Sequence, residues 1–249
     1  MVTIRKILRK TTYDPPACTA DVHPAPGPGA ESGGAYLPFD TVKRSVFLLP
    51  GGDKNKETRV AKGAVASSGD MVRTGWLGQT VIAVPDRNSR FEVFANTQIK
   101  LAGGEPGVLL VVEKGRIKAF FQALVEGSHE ERRVAVPGAL LAVRGTRYGV
   151  EVEKDGKSFL VVFEGVVEIL RGAPNAEPIR VKAGEWSTFG PASSPKVESM
   201  HTRGFMERNW NQGMRPDGSM SSMTSGAMGP GGTMPGGRHS GSGPGHMHQ

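Results

Sequence analysis

The sequence predicts an all-β domain, an antiparallel double-sheet sandwich or roll, from three observations. Strand-like segments recur every eight to twelve positions over about residues 59–190, and turn residues separate them. Apolar side chains occupy every second position of 147–153, while its arginine and glutamates take the other face. Two runs, 109–112 and 160–163, are apolar throughout, which is typical of strands buried on both faces.

Composition divides the chain into four segments. Glycine and proline account for 35 and 18 of the 249 residues, and they concentrate towards the two ends. We expect a basic leader and Pro/Gly-rich linker over 1–58 and the β domain over 59–190. A segment that docks on the domain follows over 191–212, and a disordered Gly/Ser/Met/His-rich tail over 213–249. The β domain is expected to fold without the other segments.

Nine residues form candidate structural motifs where strands are expected to turn. Glycine reaches positive φ without a Cβ clash, and short polar side chains bond to nearby backbone groups. The block 144–146 is therefore interpreted as backbone geometry rather than as a binding edge, and Gly145→Val is expected to destabilise the domain by about 1–3 kcal/mol. The nine residues are Gly69, Asp70, Thr74, Gly75, Arg144, Gly145, Thr146, Gly165 and Gly184.

Five sequence blocks, in order over about residues 60–190, resemble the FecR domain, which is named after the ferric-citrate transport regulator. The first, 69–75, reads G-D-M-V-R-T-G, and the second, 86–93, resembles the strand pair that follows. The third, 136–150, contains V-P-G-A and then V-R-G-T-R-Y-G-V. The blocks 163–167 and 181–185 resemble the closing strands, with F-E-G-V-V and V-K-A-G-E.

The resemblance implies an antiparallel β domain that transmits protein–protein contacts and usually lies outside the cytoplasm. It implies a protein partner and favours the periplasm or cell envelope, although the sequence shows no signal peptide and no membrane-spanning segment. The cytoplasmic and membrane helices of the full regulators are not visible either, so sigma-factor regulation is not carried over. The family has no catalytic residues to transfer. The compartment and the oligomeric state stay open.

Charge and residue usage favour a non-catalytic binding protein. The net charge is +7, but residues 63–195 hold 16 basic against 15 acidic residues, so no nucleic-acid partner is expected. The only cysteine is Cys18, in the leader, and His129 is the only histidine between residues 24 and 200. His129 lies in a polar segment interpreted as a hairpin tip. The sequence therefore predicts no enzyme, no catalytic residue and no cofactor.

The tail leaves two alternatives to a protein-interaction or signalling module. Thioether and imidazole groups are ligands that suit copper or nickel, so one alternative is a metal-handling protein. The other is a structural subunit of a surface assembly. Irregular spacing favours a solvated tail without a metal site. The candidate ligands are Met220, Met223, Met228, His239, His246 and His248.

Overall fold

The computed structural model describes residues 37–101, 107–123, 132–172, 176–200 and 203–221. These residues form an antiparallel β sandwich with one helix, which confirms the predicted fold class. The elements are β1 Leu37–Lys43, β2 Val46–Leu49, β3 Thr58–Arg59, β4 Val65–Ala66, β5 Met71–Thr74, β6 Gln79–Val84, β7 Ser89–Val93, β8 Gln98–Leu101, β9 Val108–Phe121, β10 Arg133–Val136, β11 Ala139–Val143, β12 Arg147–Val152, β13 Ser158–Glu164, β14 Val166–Leu170, β15 Ile179–Lys182, β16 Glu185–Gly190, β17 Ser193–Ser199 and α1 Arg203–Gln212.

Two sheets share the long strand β9. Sheet I has the order β1-β6-β7-β9-β12-β13-β16-β17. Sheet II has the order β3-β2-β5-β8-β9-β10-β11-β14-β15. All of these pairs are antiparallel except β9–β10. The chain crosses between the sheets at short corners, and β9 crosses within itself near Gly115, where its partners change from β8 to β12.

The core lies between the two sheets. The apolar side chains that alternate along the sequence face this core, as predicted. Tyr148, Val150 and Val152 of β12 are fully buried in the core. The apolar run 160–163 is buried on both faces. In 109–112, by contrast, only alternate residues are fully buried, since no described element covers the outer face of sheet II there.

The sandwich extends beyond both boundaries expected from composition. Strands β1 and β2 precede residue 59, and Leu37, Phe39 and Val46 belong to the core. At the other end, β17 and α1 lie within 191–212, the segment expected to dock on the domain. Residues 213–221, which composition assigns to the disordered tail, instead form a turn that closes with a hydrogen bond from the Ser221 N–H to the Gly213 carbonyl (2.7 Å). Proline and glycine near β1 and after α1 give these two segments the composition of a linker and of a tail.

Three other expectations fall outside the described residues: the leader up to residue 36, the hairpin tip that contains His129, and the tail after residue 221. Within the described ranges, no helix is long and apolar enough to cross a membrane.

Candidate protein-interaction surface

All nine motif residues lie at strand ends or in the corners that join strands. Asp70 organises the turn that leads into β5. Its carboxylate accepts hydrogen bonds from the N–H groups of Gly51 and Ser67, both at 2.9 Å. The Gly69 N–H donates to the Leu101 carbonyl at 2.8 Å. This part of the first motif therefore ties three loops together.

Thr74 and Gly75 fix the next corner, between β5 and β6. The buried Thr74 hydroxyl donates to the Phe94 carbonyl and accepts from the Thr97 N–H at 2.9 Å. The Gly75 N–H donates to the Ser45 carbonyl at 2.8 Å. These bonds anchor the corner to the two neighbouring corners of the fold.

The anchored corner presents two large apolar side chains to solvent. The Gly78 N–H donates to the Gly75 carbonyl (2.9 Å), which closes a four-residue turn with Trp76 and Leu77 at its centre. Trp76 is 59% exposed and Leu77 is 45% exposed. Leu77 also has φ +64°, a left-handed conformation that costs a residue with a Cβ about 1–2 kcal/mol. We call Trp76 and Leu77 the apolar tip.

The backbone conformation at position 77 does not favour leucine. A third residue of a turn with positive φ usually is glycine or asparagine. Leu77 bears the conformational strain and is 45% exposed, so its side chain gains less burial energy than a core leucine does. Strain that the fold does not use is typical of functional sites, and exposed tryptophan is typical of binding hot spots.

The corner between β11 and β12 contains the block 144–146. Gly145 has φ +71°, and a Cβ there would lie 2.6 Å from the Cα of Ala123. The Thr146 hydroxyl donates to the Val166 carbonyl at 3.0 Å. Arg144 points into solvent. The packing of this corner gives its glycine and threonine backbone roles.

Two more of the nine motif residues are corner glycines. Gly165 has φ +79°, and a Cβ there would lie 2.7 Å from the Gly145 carbonyl oxygen. Gly184 has φ +89° and accepts a hydrogen bond from the Met200 N–H at 2.8 Å.

Two open clefts lie on the described surface, and the smaller one adjoins the corner between β11 and β12. The larger, of about 680 Å³, is lined by Arg133, Ala135, Val136, Gly138, Ala139, Leu140, Leu170, Arg171, Gly172 and Ala176. The smaller, of about 330 Å³, is lined by Phe120, Phe121, Gln122, Ala123, Gly145, Thr146, Arg147 and Glu164. The described lining of each cleft holds at most one carboxylate and no histidine, so neither offers a pair of groups for proton transfer at neutral pH.

Helix α1 and the turn that follows it lie over the outer face of sheet I. Trp210 of α1 is fully buried on this face. Its ring lies directly over Gly149, where any Cβ would clash with the indole. The Arg116 guanidinium lies 5.2 Å from the ring centres of both Trp210 and Phe94. Cation–π contacts thus hold the helix on a face that the sequence pattern alone presents as solvated.

Ion pairs complete this cover. Glu151 is fully buried and accepts hydrogen bonds from Arg215 (2.7 Å) and Ser221 (2.6 Å). Arg215 also donates to Glu153 at 2.6 Å. Burial alone lowers the pKa of Arg215, but the two carboxylates outweigh it and hold the pKa above its ordinary value. Burial lowers the pKa of Arg116 to about 10, so both arginines are charged at neutral pH.

One of the six candidate metal ligands lies in the described part of the chain. Met220 is 52% exposed and forms a β-bridge with Met214, whose sulfur accepts a hydrogen bond from Asn209. The other five lie beyond residue 221. Within the described residues, no group of three or more His, Cys, Asp or Glu side chains is placed to hold a metal ion.

Comparison with known proteins leaves the chain without a family assignment. No family model matches it, and no curated protein matches it. Two crystal structures of "a putative anti-sigma factor" from Parabacteroides distasonis are similar over 57% of this chain, with 14% identity and a TM-score of 0.45. The match covers 65% and 64% of those chains, just under two thirds of their length. The FecR resemblance therefore rests on the sequence blocks alone.

Proposed function

We propose that this chain is a non-catalytic protein-interaction or signalling module of the bacterial cell envelope, and that it binds its protein partner through the apolar tip, Trp76 and Leu77. The observation that carries this proposal is the combination of exposure and strain at the tip. A fold selected only for stability places glycine at position 77 and a polar residue at position 76.

The anchoring of the tip supports its use in binding. Three backbone hydrogen bonds hold the corner, one from Gly75 to Ser45, one from Gly78 to Gly75 and one from Asn96 to Gly75. A partner that docks on a preorganised turn loses little conformational entropy of the loop. A tryptophan beside a leucine offers a compact apolar anchor of the kind that fills a pocket on a partner.

The sequence context also supports this proposal. The apolar tip directly follows the 69–75 block, the first of the blocks that resemble the FecR domain. That resemblance implies contacts with other proteins outside the cytoplasm, and it is the basis for the cell-envelope location. The described lining of the two clefts offers no acid–base pair, which is consistent with a binding role rather than a catalytic one.

Site-specific photo-crosslinking tests the proposal directly. A photoreactive phenylalanine analogue replaces Trp76 in the full chain, which is expressed in its native host and irradiated. The matched control carries the analogue at Val166, another exposed apolar residue, 39% accessible, at the start of β14. We expect one discrete protein adduct from position 76 and none of that mass from position 166. Identical adducts from both positions, or none from position 76, contradict the proposal.

A further inference from the structure

Strand β17, Ser193–Ser199, is an edge of sheet I. It pairs with β16 on one side, and none of the described strands pairs with its other side. Most of its residues are exposed, including Val197 at 38%. An unpaired strand edge is a template for another strand unless something blocks it.

The ladder with β16 shows which backbone groups of β17 face outwards. The Met200 N–H donates to the Gly184 carbonyl at 2.8 Å. Hydrogen-bonded pairs alternate along an antiparallel ladder, so the N–H and C=O groups of Lys196 and Glu198 point towards β16. Those of Val197 and Ser199 point away from the sheet. Pro195 also faces outwards, where its missing N–H costs sheet I no hydrogen bond.

The free edge does not accept every strand register equally. Suppose that a second copy of β17 pairs with the first in antiparallel orientation. Outward groups must meet outward groups. An axis at Pro195 would set two residues without an N–H against each other, so the twofold axis passes close to Lys196, Val197 or Glu198. The first choice sets Lys196 against Lys196, and the third sets Glu198 against Glu198. Like charges directly opposite each other on a sheet are destabilising.

The register centred on Val197 has the opposite property. It places Lys196 of each copy across from Glu198 of the other, on one face of the joined sheet. Within one strand the two side chains already form an ion pair at 2.7 Å, so the four charges alternate in sign around the axis. Val197 meets its own copy, and each of these two residues exchanges an N–H and a C=O. Each Ser199 N–H reaches the Pro195 carbonyl of the other strand.

We propose that two copies of this chain associate through β17, antiparallel and centred on Val197, so that sheet I continues from one copy into the next. Charge complementarity between Lys196 and Glu198 selects the second copy as the occupant of this edge. The inference is independent of the apolar tip and goes beyond the proposed binding function.

Charge exchange in the full-length chain tests the interface. By sedimentation velocity up to about 100 µM, we expect the wild-type chain to form a concentration-dependent dimer. Lys196→Glu sets Glu against Glu at both contacts, and Glu198→Lys sets Lys against Lys, so each variant weakens dimerisation at least about tenfold. The matched control is Lys100→Glu, which changes an exposed lysine on β8 and leaves the dimer unchanged.

Two rescue experiments separate this interface from a general effect of charge. The double variant K196E/E198K restores opposite charges across the axis and is expected to dimerise like the wild type. An equimolar mixture of Lys196→Glu and Glu198→Lys is expected to form a mixed dimer, although each alone is monomeric. A wild-type chain that stays monomeric, or a Lys196→Glu variant that dimerises unchanged, overturns the proposal. So does a failure of both rescues.

Discussion

Replacing Gly145 tests how the corner between the sheets is built. Gly145→Ala adds one Cβ at φ +71°, where it lies 2.6 Å from the backbone Cα of Ala123. The matched control is Gly63→Ala. Gly63 has φ +81°, but a Cβ there meets nothing within 4 Å. Both changes impose the same kind of conformational strain, and only the first also forces two backbone segments apart.

The expected magnitudes follow from these contacts. A left-handed residue with a Cβ costs about 1–2 kcal/mol, and the loss of glycine entropy in the unfolded chain returns about 0.4–1 kcal/mol. Gly63→Ala is therefore expected to lower the free energy of unfolding by about 1 kcal/mol. Overpacking adds about 1–3 kcal/mol at Gly145, for a total of about 2–4 kcal/mol. Gly145→Val adds two further methyl groups at the same backbone contact, so the structure raises its expected cost above the roughly 1–3 kcal/mol expected from the sequence.

Thermal unfolding followed by circular dichroism measures both variants. For a domain of this size, 1 kcal/mol corresponds to about 2–4 °C in Tm. We expect Gly145→Ala to lower the Tm by at least twice as much as Gly63→Ala. Equal shifts in the two variants refute the argument from backbone contact and leave only the φ strain.

Three other predictions concern the end of the chain. Gly149→Ala sets a methyl group against the Trp210 ring and is expected to lower the Tm by several degrees, through displacement of α1. Deletion of 213–249 removes Arg215 and leaves the buried Glu151 without its partner, so we expect it to lower the free energy of unfolding by about 3–5 kcal/mol. Deletion of 222–249 keeps Arg215 and is expected to leave the Tm unchanged. Titration with Cu(I) is expected to show weak, unsaturable uptake by the full chain, and a saturable site lost with 222–249 would favour the metal-handling alternative.

Local pattern was sufficient to predict the fold class. A period of two in 147–153 fixes which side chains of β12 face the core, because alternation along a strand is a property of the backbone itself. Composition was a poorer guide to the limits of the domain. Strand β1 makes its pairs with β4 and β6, more than twenty residues away, and the neighbouring prolines and glycines resemble a linker.

The covered face of sheet I shows a second limit of sequence reasoning. The alternation in β12 places Glu151 on the outer face, but only long-range packing brings Arg215 and α1 over it. The apolar tip was missed for a similar reason. Trp76 and Leu77 directly follow the first motif, and the sequence pattern does not show that they are exposed. Two large apolar residues between Gly75 and Gly78 were the signal available.

Leu77→Gly tests most directly whether Leu77 is retained for binding rather than for folding. Relief of about 1–2 kcal/mol of strain exceeds the roughly 0.5–1 kcal/mol entropic cost of an added glycine. We therefore expect a Tm equal to or slightly above the wild-type value, together with loss of the adduct formed by a photoreactive residue at position 76. A lowered Tm with the adduct intact would contradict it.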